Sequence, residues 1–153
     1  MSLIDQIGTD IKTAMKAKDK VRLETLRGIK KVLLDKEVSV RPSGQTELTP
    51  EQEIEALSQI AKQRRDSIAQ FTDAGRADMA EQEAIELKII EEFLPTQLTD
   101  DEIAVIVAEV VAEVGATSPK DMGKVMGPVM QKLKGKADGK KVQAAVKASL
   151  AGS

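Results

Sequence analysis

The sequence predicts an all-α protein, and three observations carry that expectation. Apolar residues recur at three- and four-residue intervals, and even the β-branched ones fall at this helical spacing instead of alternating. Thr49-Pro50-Glu51-Gln52 and Thr99-Asp100-Asp101-Glu102 are helix starts of the capping-box kind. Phe71 and Phe93 are the only aromatic residues, so aliphatic side chains and Met must fill the core, as in helical bundles. Within this class we expect an N-terminal four-helix domain over residues 1–94 and a smaller three-helix domain over 95–153.

The elements follow in order. Ile4, Ile7, Ile11, Ala14 and Met15 make the apolar face of a first helix. Asp19 caps a second, which turns Leu23, Leu26, Ile29 and Leu33 inward, with basic residues from Lys12 to Lys36 lining the outside of the pair. Ser39 to Leu48 reads as a loop by its Pro, Gly and Ser. The third helix starts at Thr49, carries Ile54, Leu57, Ile60, Ala61, Ile68 and Phe71, and is interrupted at Ala74-Gly75-Arg76. A fourth runs to about Phe93 with Met79, Leu87 and Ile90 apolar. Pro95, in FLPTQLT, marks the domain boundary. A fifth helix runs from Thr99 to a stop at Gly115. Ser118 to Asp121 opens a sixth, Gly135 terminates it, and Asp138 caps a seventh that carries Val142, Val146 and Leu150.

Composition narrows the chemistry. The chain has 153 residues, no Cys and no His. That excludes disulfides, Cys nucleophiles, imidazole bases and Cys/His zinc sites. No P-loop and no serine-based catalytic signature is present. The expectation is a protein with no catalytic residues, no cofactor and no metal. The N-terminus shows no signal-peptide pattern, and no apolar run approaches the roughly 18 residues of a membrane span. A soluble, cytoplasmic protein without membrane contact is expected.

Charge is unevenly placed. The formal net charge is −2, yet Ser118 to Lys147 holds eight lysines against two aspartates. Residues Glu51 to Glu92 hold eleven acids and five bases, and the acids from Glu81 onward read as a solvated helix face. On a wheel of about 100° per residue, Met122, Val125, Met126, Val129, Met130 and Leu133 share one band. The three Met are read as core. Lys120, Gly123, Lys124, Gly127, Gln131 and Lys134 share the opposite band. Pro128 predicts a kink or a restart, because it removes the bond to the Lys124 carbonyl and crowds it.

Two readings of Gly123 and Gly127 stand side by side. Their spacing suits close helix packing. A bare backbone flanked by cations also suits close approach of a flat anionic surface. Lys134, Gly135, Lys136, Asp138, Lys140 and Lys141 extend the cluster around the next turn, where helix-start N–H groups could hold a phosphate.

FLPTQL (Phe93 to Leu98), DMGKVM (Asp121 to Met126), KGKADGKKV (Lys134 to Val142) and KDKVRLETLRGI (Lys18 to Ile29) together resemble the YqeY family. The region after Phe93 is also similar to the tail of the B subunit of tRNA-dependent amidotransferases (GatB). The resemblance implies two all-α domains. In those enzymes, carbon–nitrogen ligases that use glutamine as amido donor, the tail contacts the outer corner of tRNA. Carried over, it implies Lys120, Gly123, Lys124, Gly127, Lys134, Gly135, Lys136 and Asp138 as RNA contacts. Lys140 and Lys141 join them as members of the same basic cluster. The amidase subunit and the catalytic cradle are not in this chain.

With no Tyr or Trp and both Phe expected in the core, base stacking is disfavoured. Shape and phosphate recognition of structured RNA remains. The leading expectation is therefore a tRNA-binding accessory protein. The alternative is a helical adaptor for an aminoacyl-tRNA synthetase or an amidotransferase subunit. An enzyme of carbon–nitrogen ligation is the weakest reading, since no nucleophile–base pair is visible.

Overall fold

The computed structural model describes residues 2–152, so Met1 and Ser153 of the expected domain ranges lie outside it. Among the described residues there are seven α-helices and no strand. They are α1 (Leu3–Lys16), α2 (Lys20–Val40), α3 (Pro50–Asp73), α4 (Ala77–Glu91), α5 (Asp100–Val114), α6 (Met122–Leu133) and α7 (Gly139–Ala151). One compact unit ends at Leu94 and a second begins at Pro95.

Local chemistry sets most boundaries. The Thr49 hydroxyl accepts from the Gln52 N–H at 3.2 Å, and the Gln52 side chain accepts from the Thr49 N–H at 3.0 Å. Thr99 and Glu102 repeat the arrangement at 3.2 and 3.1 Å. Each box satisfies donors that a helix start otherwise leaves open. Gly75 and Gly115 adopt positive φ, of 71° and 67°, where α3 and α5 end. Such a conformation costs a residue with a Cβ far more than it costs glycine.

In the first unit Ile7, Leu26, Ile29, Leu33, Leu57 and Ile90 are almost wholly buried and form one core. Arg22, near the start of α2, grips Glu92 just beyond α4 through two bonds of 2.7 and 3.2 Å. That hydrogen bond, above all, raises the guanidinium pKa. Arg64 on α3 lies between Glu83 and Glu86 of α4, at 3.3 and 3.4 Å. These two carboxylates are only 17 and 20% exposed, so the acidic stretch is not wholly a solvated face. In the second unit Ile103, Val107, Val110, Val125, Val129, Leu133, Val142, Val146 and Leu150 close a core between α5, α6 and α7.

Several local expectations change. Met15, read as inward, is 53% exposed, and Met79 also reaches solvent. Phe71 and Phe93 are half-buried. Helix α4 stops at Glu91, short of Phe93. The sixth helix starts at Met122, after a 3-10 turn over Pro119–Asp121. Pro128 does not break α6, which runs unbroken from Met122 to Leu133. Pro128 is exposed, so its ring points away from the core and the Lys124 carbonyl it orphans can meet water.

Leu57 is fully buried in the first core. Leu57→Ala should lower stability by about 2–5 kcal/mol in urea denaturation, through lost transfer energy and a residual cavity.

Candidate functional site

The candidate site is the outer face of α6 with the turn that follows it. Val125, Val129 and Leu133 point into the core, and helical periodicity then turns Lys120, Gly123, Lys124, Gly127 and Gln131 outward; all five are exposed. A methyl group placed at Gly123 or Gly127 would meet no atom within 4 Å outside its own helix. Neither glycine has the positive φ that demands glycine. The packing reading left open above therefore fails within this unit, because no other helix lies against these positions. What remains is a strip of bare, solvated backbone, continued by the exposed ring of Pro128.

Asp121 organises the front of this face. Its carboxylate accepts from the Thr117 N–H at 2.9 Å and the Ser118 N–H at 3.4 Å. Lys124 lies 3.7 Å away. The Thr117 bond is the largest influence, and with the others it holds the Asp121 carboxyl below its ordinary value. Asp121 was not among the expected contacts. Its signal in the sequence is its place three residues after Ser118, at the N3 position of the turn.

The turn after α6 is built differently. Gly135 has φ 75°. Its carbonyl accepts from the Gln97 side-chain amide at 2.7 Å, and the same amide donates to the Pro95 carbonyl at 2.9 Å. The Leu98 N–H donates to the Lys136 carbonyl at 2.8 Å. The segment from Pro95 to Leu98 is thus a strap that fixes the basic turn from behind. Gly135 serves backbone geometry. Gln97, a polar residue in an apolar stretch, is the contributor that sequence reasoning missed.

Asp138 caps α7 by accepting from the Lys140 N–H at 3.2 Å. Its carboxylate occupies the helix start where a phosphate was considered, and two anions do not share such a site. Lys141 pairs with Asp100 of α5 at 3.6 Å. Both residues rim an apolar groove between α5 and α7 with Ile103, Ala104, Ala144 and Ala145. Lys141 therefore belongs to the α5–α7 seam. Lys132 on α6 pairs with Glu113 at 3.5 Å.

The expected cluster therefore divides. Gly123, Lys124 and Gly127 share the α6 face, and Lys120 stands exposed on the 3-10 turn just before it. Lys134 and Lys136 stand exposed on the strapped turn, and neither they nor Lys120 has a carboxylate partner among the described residues. Gly135 and Asp138 hold the scaffold, while Lys140 and Lys141 have partners of their own. Met122 and Met126 pack on the core, as read. Met130 does not: it is 39% exposed, and its methyl group lies 3.8 Å from where a Cβ on Gly139 would stand. Among the described residues no group of carboxylates is arranged to hold a metal, and no helix is long and apolar enough to cross a membrane.

The described residues form an all-helical protein with a lysine-bearing turn strapped by Gln97 and Leu98 and a bare glycine face on α6. The chain belongs to the YqeY family: the family's pattern, described as Yqey-like protein, matches residues 4–150. It is also similar to proteins named "Altered inheritance of mitochondria protein 41, mitochondrial". The Kluyveromyces lactis protein is 36% identical over 84 residues, 55% of this chain and 44% of the relative. The Lachancea thermotolerans protein is 34% identical over 85 residues, 56% and 44% of the two chains. The Clavispora lusitaniae protein is 30% identical over 104 residues, 67% and 58%. The chain thus spans about half the length of the curated relatives it matches.

These names correct two expectations. The relatives are mitochondrial proteins by name, and the cytoplasmic placement is withdrawn. Their name speaks of mitochondrial inheritance and of neither tRNA nor amide transfer. The reading as a tRNA-binding accessory of glutamine-dependent amidation, with its synthetase- or amidotransferase-adaptor alternative, is withdrawn with it.

Two outcomes follow from the site's geometry. Gly123→Ala should stabilise the protein by about 0.5–1 kcal/mol in denaturant melts, since α6 gains helix propensity and no atom outside the helix is displaced; Gly127→Ala should gain less, because a Cβ before Pro128 crowds the proline ring in helical geometry. Because folding lowers the Asp121 pKa, its contribution is complete above the unfolded value of about 3.9 and is lost as pH falls through the lower folded value. NMR titration of the Asp121 carboxyl carbon checks this, and Asp121→Asn should flatten that part of the acid-stability curve.

Proposed function

We propose that this YqeY-family protein is a binding protein without catalysis of its own. Its two units act as separate domains, of four helices (α1–α4) and three (α5–α7). The C-terminal one presents the Gly123–Gly127 face of α6 to a flat, phosphate-bearing surface. Lys120, Lys124, Lys134 and Lys136 supply the cations, and the Gln97–Leu98 strap keeps the last two in place.

One observation carries the reading. Two helical glycines that no atom outside α6 requires leave the backbone bare on the face that holds the lysines. Glycine weakens a helix, so keeping two there without a packing reason favours a role in close approach. Lysine is suited to phosphate as a mobile point charge. The absence of His and Cys supports the non-catalytic part.

The test is titration of the full chain with heparin, inorganic polyphosphate and duplex nucleic acid as polyanion probes. Binding should weaken with salt; contacts to about four phosphates of a duplex imply a log–log slope of roughly −3.6. Lys120→Glu/Lys124→Glu should abolish it. Gly123→Leu should weaken it while leaving the fold intact by circular dichroism. Binding that ignores salt, or that survives the double charge reversal, sinks the proposal.

A further inference from the structure

A second surface lies in the first unit, on the α1–α2 hairpin, and the α6 face does not account for it. Between these helices runs an open groove of ≈ 380 Å³ whose apolar floor is Ile11 and Leu34. Arg27, Lys30 and Lys31 rim it, with Asp35 as the one carboxylate. Lys30 and Lys31 have no carboxylate partner among the described residues. Gly8 lies alongside, and the closest atom to a Cβ there would be the Lys30 ammonium at 4.0 Å. The groove is thus shallow-walled on the α1 side and cationic on the α2 side.

Leu34 also lines a second depression, of ≈ 340 Å³, toward the start of α1. There the charges reverse: Asp5, Glu37, Glu47 and Glu53 surround Ile4 and Leu34. Leu34 is 40% exposed, and Val38, one turn further along α2, is 53% exposed. Ile4 and Ile11 lie two turns apart, about 10 Å along α1. The hairpin therefore offers one apolar track with a basic half and an acidic half.

This pattern selects among occupants. A phosphate polymer or an anionic lipid surface would be drawn to Arg27, Lys30 and Lys31. It would be repelled by four carboxylates just past Leu34, and neither has a side chain to reach a concave apolar floor. A polypeptide helix carries apolar residues at i, i+3, i+4 and i+7 and can carry both signs of charge. Helices commonly bear acids near their N-terminus and bases near their C-terminus. We propose that the α1–α2 hairpin docks an amphipathic helix of a partner protein. The helix's apolar stripe lies along Ile4, Ile11 and Leu34. Its acidic half faces Lys30 and Lys31, and its basic half faces Asp5 and Glu47; Arg27 and Glu37 already pair with Glu24 and Arg41, and Glu53 accepts from the Leu3 N–H. An acidic N-terminal half places the helix antiparallel to α1.

The test is selection of displayed amphipathic helical peptides, with their charged positions randomised, on the full chain, with counter-selection on Leu34→Asp. Circular dichroism confirms that each variant is folded. Survivors should carry acids in one half and bases in the other. They should bind Lys30→Glu/Lys31→Glu about ten-fold more weakly and Lys120→Glu/Lys124→Glu unchanged. Survivors without charge segregation, or no survivors that depend on Leu34, overturn the proposal. So does binding to anionic phospholipid vesicles that needs Lys30 and Lys31 but not Leu34, which would make the hairpin a lipid-facing surface. Self-association in sedimentation that Leu34→Asp removes would assign the groove to a second copy and equally overturn it.

Discussion

The turn at Gly135 is the constraint on which the C-terminal unit depends. Its positive φ reverses the chain after α6, and the Gln97 amide and the Leu98 N–H then pin the successive carbonyls of Gly135 and Lys136. Backbone carbonyls left unpaired in a part-buried turn would be costly. Satisfying them from a segment nearly forty residues upstream in sequence ties the entry of the unit to its α6–α7 turn. The alignment of α6 with α7, the closure of the valine-rich core and the display of Lys134 and Lys136 all follow from that turn.

The same unit shows how a small core made without aromatic residues can leave a helix face unused. Val107, Val110, Val125, Val129, Val142 and Val146 are stiff and compact, and they fill the space between three short helices with one stripe from each. Helix α6 then has more than half its circumference in water. A protein evolving for stability alone would place Ala, Lys or Glu there. Gly123 and Gly127 run against that expectation, and conflicts between local preference and fold tend to mark functional positions.

Charge is distributed by role more than by region. Arg64 is held by Glu83 and Glu86, and Arg22 by Glu92, so these cations join helices. Lys141 and Lys132 likewise tie α7 and α6 to α5. Exposed pairs of this kind add little stability individually, but they remove these cations from the set open to a partner. On the α1–α2 hairpin Lys30 and Lys31, without carboxylate partners among the described residues, border an apolar floor, whereas Lys124 on α6 and Lys120 on the turn before it border bare backbone. The two surfaces present different chemistry to what they meet, although both are basic.

Much of the helical framework was legible from sequence because its causes are local. Thr49, Thr99, Asp19 and Asp138 cap helices through side chains two or three residues from the donors they serve, and Gly115 stops α5 through its own backbone conformation. Likewise, the family pattern lies in the linear order of its motifs. Other features were decided by tertiary structure, because each depends on a partner distant in sequence or on the absence of one. The wheel put Met130 with the core, but the end of α6 leaves it over the start of α7 instead. Pro128 was expected to kink or restart α6, and the helix does not restart there but continues to Leu133 with the proline exposed. Lys141 and Lys124 each have a carboxylate partner, but Asp100 ties Lys141 to a second helix, whereas Lys124 pairs with Asp121 of the turn just before its own helix. Caps and turn glycines written in the chain set several of the helix starts and stops, among them those at Thr49, Thr99 and Gly115. The tertiary structure alone decided which charges are spent on neighbouring helices and which glycines face open solvent, because burial and pairing are properties of space between elements.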